Sequence, residues 1–226
     1  MNLPNNIANL SAIGSDEVGV GDYLGPLVVA SVYVNVSQIA TLQALGVKDS
    51  KGLTDKRICA IASQVKNTVD YQILTLPNDK YNKMVEHGIN AHGIKSFLHN
   101  KAIGTLQAQL GFVPDYIIVD EFTAIKNHFK YLEAMPKVTD IMREKVHFIK
   151  KGESVHIAVA AASILARAAF VEFMDHLSAE LQSAVPKGAG AHVDDFARQI
   201  LSLHGEEKLR AIAKWHFANT KKVLQP

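Results

Sequence analysis

Ile13-Gly14-Ser15-Asp16-Glu17-Val18-Gly19-Val20-Gly21-Asp22-Tyr23-Leu24-Gly25-Pro26 is the stretch on which the reading of this chain turns. Two adjacent carboxylates precede a turn rich in glycine and closed by a proline. Strand-like segments flank it, at 12–16 and, apolar with a strong β-branched bias, at 27–34. Glycine and proline at this density mark a forced change of chain direction. The flanks therefore read as two strands of a hairpin, with Asp16 and Glu17 at the turn end of the first. A surface loop rarely needs so many glycines, so the turn reads as part of an active site.

Outward from this turn, the chain alternates. Residues 48–52 form a polar loop, Lys48-Asp49-Ser50-Lys51-Gly52, and Thr54 is placed to cap a helix that continues through Ile58, Ile61, Ala62 and Val65. Residues 70–76 read as a third strand, closed by Pro77 and Asn78. Residues 80–110 are helical with a break at 88–93, and Ile94, Phe97, Leu98, Ala102, Ile103 and Leu106 share a face. Two short apolar strands follow, 116–120 ending in Asp120 and 146–149 leading to Lys150-Lys151-Gly152-Glu153. Helices are expected at 155–181, 193–202 and 206–217. An early hairpin followed by helix–strand alternation predicts an α/β fold, a mixed central sheet flanked by helices with a C-terminal helical extension. One domain is expected over 1–226, its core over about 1–185 and its C-terminal helices over about 186–226. In such sheets ligands sit at strand carboxyl ends, where Asp16, Asp120 and Glu153 would meet.

Composition narrows the functional classes. The 226 residues are 48% hydrophobic and 20% charged, ordinary for a soluble globular chain. Cys59 is the only cysteine, which excludes an internal disulfide and multi-cysteine metal centres; it reads as a small core residue. The apolar run 155–174 is interrupted by Ser163, Arg167 and Glu172, which favours a helix buried in protein over a membrane span. The N-terminus lacks the pattern of a secretory signal, so a cytoplasmic protein without membrane attachment is expected. A net charge of +2 does not announce a nucleic-acid binder, although a local basic groove would be masked in that total.

Four acids at strand ends suit hard divalent cations, which take oxygen ligands from carboxylates and substrate phosphates. Asp16, Glu17, Asp120 and Glu153 would serve two ions, one activating water and one stabilising a leaving oxygen. One ion with an acid as general base would use fewer. Taken singly, each acid would more often be a solvated turn residue than a ligand. The ten histidines form no His-Glu-x-x-His pattern; His87 and His92 read as surface, and His99 and Asn100 as ties between a helix and its neighbour. Neither a Walker pattern nor a complete Gly-x-Gly-x-x-Gly occurs.

The segment Gly14–Pro26 closely resembles the first signature of the type 2 ribonucleases H, and its Asp-Glu-Val-Gly form followed by Gly-Asp-Tyr is similar to the ribonuclease HIII branch. Asp49-Ser50-Lys51, Leu98-His99-Asn100-Lys101, Val119-Asp120, Lys151-Gly152-Glu153 and Ala158–Arg167 match further segments of that family in order. So do Pro186-Lys187-Gly188-Ala189-Gly190 and Lys214-Trp215-His216-Phe217. The resemblance implies an RNase H-like fold and endonucleolytic hydrolysis of the RNA strand of an RNA/DNA hybrid, leaving 3′-hydroxyl and 5′-phosphate ends. It also implies Mg²⁺ or Mn²⁺ as cofactor, held by Asp16, Glu17, Asp120 and Glu153; glutamate at the fourth position suits the HIII branch.

Within that reading, the backbone of Gly19, Val20 and Gly21 is expected to meet the ribose 2′-hydroxyl that distinguishes RNA from DNA. Ser50, Lys51, Ser163 and Arg167 are candidates for substrate contacts, which set position without reading bases. The partner is the hybrid itself, with a monomer and no obligate protein partner expected. Two departures from the HIII pattern stand out: about a dozen residues precede the first motif, where that branch usually carries a substrate-binding domain, and valine occupies position 20, where threonine is common. Two alternatives remain: HII-like incision at single ribonucleotides in duplex DNA, and a hybrid-binding module that does not cut.

Overall fold

The structure, a computed structural model, describes residues 3–47 and 52–225. Five strands form one sheet: β1 (Ala12–Val18), β2 (Leu27–Val34), β3 (Asp70–Leu76), β4 (Ile117–Asp120) and β5 (Val146–Ile149), in the order β3-β2-β1-β4-β5. β4 is parallel to both β1 and β5. β2 lies beside β1 and follows it through residues 19–26, too short a link for a parallel crossover, so the expected hairpin is present and the sheet is mixed.

The described residues also form a 3-10 turn (Ile7–Asn9) and helices α1 (Val36–Ala44), α2 (Asp55–Lys66), α3 (Asn78–Glu86), α4 (Ala91–Leu110), α5 (Ile125–Glu133), α6 (Gly152–Val155), α7 (Ile157–Glu180), α8 (Ala191–Ile212) and α9 (Ala218–Leu224). Thr54 caps α2 as expected, its hydroxyl accepting from the Arg57 N–H at 3.4 Å. α1 and α5 were not among the expected elements. α1 begins with a capping box, in which the Asn35 side chain accepts from Ser37 and the Gln38 side chain accepts from Asn35. Cys59, expected in the core, is half-buried on α2.

Of the described residues, those within Met1–Val18, Val29–Leu74 and His92–Ala168 form one compact unit, and those within Gly19–Val28, Thr75–Ala91 and Ala169–Pro226 a second. In the first, strand alternation distributes side chains to two helical layers. Ile13, Ile117 and Val119 pack with Ile103 and Leu106 of α4, whereas Ala12 and Ile118 pack with Val159 of α7. Odd-numbered residues of β1 and β4 therefore face α4 and even-numbered ones face α7. The alanine-rich start of α7 approaches β1 so closely that a Cβ on Gly14 would lie 2.2 Å from backbone atoms of Ala158 and Val159. α7 is long and apolar enough to cross a membrane by length and composition, yet 72% of its most apolar window is buried within the protein.

In the second unit, α8 kinks at Gly205 (φ 79°), the break expected from sequence. The helix expected over 206–217 stops at Ile212, because Ala213 turns extended and bridges Leu24. Asn82 of α3 secures that exit, donating to the carbonyls of Arg210 (3.0 Å) and Ala213 (2.9 Å) and accepting from the Trp215 N–H (2.9 Å).

Candidate active site

Parallel pairing sets Ser15 beside Val119, so Asp16 and Asp120 follow one step further along adjacent strands. Both are even-numbered and share the α7 face. Asp16 is hydrogen-bonded by the Ser163 hydroxyl of α7, and its Oδ1 accepts the Glu17 backbone N–H at 2.7 Å. Burial, with the Glu17 and Asp120 carboxylates adding to it, pushes the Asp16 carboxyl up to about 7. Asp120 is also raised, chiefly by burial and with Glu153 contributing, while its Oδ1 accepts from the Gly152 N–H at 2.8 Å. Glu153 is not on β5 but on the single turn α6 that follows it; Lys151, in the left-handed region (φ 55°), redirects the chain there.

Glu17 points the other way. Successive side chains of a strand leave on opposite faces, so Glu17 and Ser15 face α4. There Lys95 donates to Glu17 Oε1 at 3.1 Å, and His99 Nε2 lies 3.0 Å from Oε2. His99 Nδ1 is 2.8 Å from Ser15 Oγ, which donates to the Ala30 carbonyl at 3.0 Å and accepts from Ser31 at 2.9 Å. The His99 ring also stacks on Phe122 at 5.0 Å, and the Lys95 ammonium sits 4.5 Å over the same ring. Burial alone would raise the Glu17 carboxyl, but His99 and Lys95 outweigh it and hold the group below its ordinary value.

Asp16, Asp120 and Glu153 were expected to meet at the strand ends, with Glu17 as a fourth acid; strand alternation places Asp16 and Asp120 on the α7 face and Glu17 on the α4 face. Among the described residues, no three acidic, histidine or cysteine side chains already converge on a metal-sized point. The α4 contribution was missed: His99 was expected only as a structural tie, and Lys95 not at all. Lys95-x-x-x-His99 places both on one helical face, which is the signal available in the sequence. Asn100 does act as a tie, donating to the Asp140 carbonyl at 2.7 Å and accepting from the Met142 N–H at 2.8 Å.

The expected substrate-binding residues divide. Ser163 serves Asp16. Arg167 is engaged, its Nε and Nη2 on Asp55 Oδ1 (3.2 and 2.9 Å) and Nη2 on the Leu53 carbonyl (2.8 Å), so it anchors the start of α2. Ser50 and Lys51 lie outside the described residues. In the second unit, Gly19 (φ 96°) and Gly25 (φ 86°) occupy the left-handed region, and a Cβ on Gly19 would lie 2.2 Å from the Pro26 carbonyl oxygen. Gly21 meets no such barrier, and the Val20 side chain is exposed.

His99→Ala should cost stability, because it strips partners from two buried oxygens. A loss of about 2 kcal/mol, or roughly 4–8 °C in Tm, is expected. Since Glu17 is lowered in the folded protein, its contribution is present above its unfolded value of 4.5 and is lost as pH falls through the folded value. The melting difference between wild type and His99→Ala should therefore narrow below pH 4.5; a difference unchanged down to pH 3 would contradict this account.

The family model described as Ribonuclease HII matches residues 13–220. Ribonuclease HIII of Bacillus cereus is 47% identical over 223 residues, covering 98% of this chain and 71% of the relative. The crystal structure of Bst-RNase HIII in complex with Mn²⁺ superposes with a TM-score of 0.92 at 47% identity, over 96% of this chain and 70% of that one. Ribonuclease H2 from Pyrococcus horikoshii shares the fold, with a TM-score of 0.76 at 21% identity over 95% of this chain and 97% of that one.

Proposed function

Because the chain belongs to the ribonuclease HII family, we propose that it is a divalent-metal-dependent endoribonuclease that hydrolyses the RNA strand of RNA/DNA hybrids, as a ribonuclease HIII. The observation that carries this reading is the Asp16–Asp120 pair, set side by side at the carboxyl ends of two parallel strands inside the family-matched segment.

The donor set fits a hard cation. Burial and neighbouring acids raise both Asp16 and Asp120, and a divalent ion beside them would reverse that penalty. Asp16, Asp120 and Glu153 would hold it from the α7 side. Glu17 would join from the α4 side, where each of its oxygens keeps a lone pair beyond its bond to Lys95 or His99. When bound, such ions activate water and stabilise the leaving oxygen of a phosphodiester. The protein's own contribution is to fix the acids. Ser163 orients Asp16, Gly152 orients Asp120, and Lys95 and His99 hold Glu17 ionised and in place.

Recognition is assigned to the turn after β1, where Gly19, Val20 and Gly21 would offer backbone groups to the 2′-hydroxyl. The exposed Val20 side chain supplies no hydrogen bond of its own. A labelled hybrid incubated with Mg²⁺ or Mn²⁺ should be cut along its RNA strand to 5′-phosphate products. A DNA duplex carrying one ribonucleotide should be a poor substrate. No cleavage of hybrid with either metal would refute the proposal, and preferential incision at the single ribonucleotide would move the protein to the HII activity.

A further inference from the structure

The glycine turn is held in place by a side chain with no part in the hydrolytic chemistry. Lys214 is completely buried, and its Nζ donates to the main-chain carbonyls of Asp22 (2.8 Å) and Gly25 (2.7 Å). The backbone around it pairs with the same turn. The Lys214 N–H donates to the Tyr23 carbonyl at 2.8 Å, the Gly25 N–H donates to the Ile212 carbonyl at 2.9 Å, and Leu24 bridges Ala213. On its other side the turn is tied to 188, where the Asp22 carboxylate accepts the Gly188 N–H at 2.6 Å and the Tyr23 N–H donates to the Gly188 carbonyl at 2.9 Å.

An amine in this position is costly. Burial pushes the Lys214 ammonium down to about 7, with the Asp22 carboxylate opposing the shift. A methionine would fill similar space without that desolvation penalty. What the amine adds is two hydrogen bonds, one to the buried Gly25 carbonyl and one to the partly buried Asp22 carbonyl, and even the neutral amine has the two hydrogens they need. Glycine leaves such a turn many backbone forms to choose among, so Gly19 and Gly25, both at left-handed dihedrals, depend on neighbouring groups to hold the one observed.

We propose that Lys214 is a positioning residue: by holding the carbonyls of Asp22 and Gly25, it fixes the backbone of Gly19–Gly21 in the form that grips the ribose of the RNA strand. Hybrid affinity depends on it, and the hydrolytic step does not. This inference rests on the hybrid-cleaving function proposed above.

Steady-state cleavage of an RNA/DNA hybrid by wild type and Lys214→Met tests it. KM should rise about tenfold with kcat within about twofold of wild type, the pattern of lost uniform binding. In an Asp16→Asn background, the Kd for hybrid should rise in parallel while the weaker binding of DNA duplex stays unchanged. Leu42→Ala, a core truncation on α1, supplies a variant of lowered stability whose KM should not move. If Lys214→Met does not fold, Lys214→Gln keeps two amide hydrogens on a shorter arm and should show a smaller rise in KM. Wild-type turnover with an unchanged KM in the folded variant, or a fall confined to kcat, overturns the role of Lys214 alone. Absence of hybrid turnover by wild type sinks the underlying function and this role together.

Discussion

Asp16→Asn is expected to abolish hybrid cleavage, by a factor on the order of 10³ or more, while leaving the fold intact. The amide is isosteric and its oxygen can still accept from the Glu17 N–H and the Ser163 hydroxyl. What disappears is a negative charge that would bind metal from the α7 face. The same variant should show an opposite effect on metal-free stability. Asp16 has a folded value of about 7 against 3.8 for the ordinary group, so its favourable contribution is complete below 3.8 and is lost as pH rises through 7. Asparagine does not titrate. In the presence of a chelator, the Tm of Asp16→Asn relative to wild type should therefore climb between pH 4 and 8. Activity within tenfold of wild type would show that Asp16 is not an essential metal ligand, and a relative Tm independent of pH would show that it is not a strained buried acid.

Gly14→Ala should be among the most damaging single methyl groups that can be added near the site. Its Cβ would fall 2.2 Å from the Ala158 carbonyl carbon and the Val159 nitrogen, and both are backbone atoms that cannot swing aside. Relief requires α7 to move off β1, opening the layer in which Val159 packs with Ala12 and Ile118. A cost above about 3 kcal/mol is expected, seen as a fall in Tm of roughly 6–12 °C or as insoluble protein. Displacing α7 also draws Ser163 from Asp16, so any folded remainder should cleave poorly. By contrast, Gly21→Ala meets no atom within 4 Å and should melt like wild type, which makes it the control.

Much of this was legible in the residues themselves. The glycine turn marked the hairpin, the apolar runs ending in Asp120 and preceding Glu153 marked β4 and β5, and Gly205 marked the kink in α8. α1 went unread although its Asn35-x-x-Gln38 capping box was present. α5 lacked a capping signal, since its N-cap, Ala124, makes no side-chain hydrogen bond, and the one-sided spacing of Ile125, Phe129 and Leu132 went unread. The places of the four candidate acids in the fold were recoverable, because Asp16 and Glu17 lie on β1, Asp120 ends β4 and Glu153 follows β5 by a single turn. Their partners were less so, since Lys95 and His99 reach Glu17 from 78 and 82 residues away, and no local pattern states which helix covers which face. Lys214 is similar: its carbonyl partners lie 192 and 189 residues earlier in the chain. The division of Asp16 and Glu17 between layers follows from strand periodicity alone.

The close approach at Gly14 has a consequence for how the hairpin finds its alignment. A strand displaced by one position would trade the surroundings of every side chain, sending Asp16 toward Lys95 and His99 and Glu17 toward Ser163. Such a slip would also bring the Cβ of Ile13 or Ser15 against the Ala158–Val159 backbone, where the native arrangement admits only hydrogen. Gly14 thus works as a key cut for one position of the lock, and the misaligned sheet is excluded by shape before charge is ever consulted.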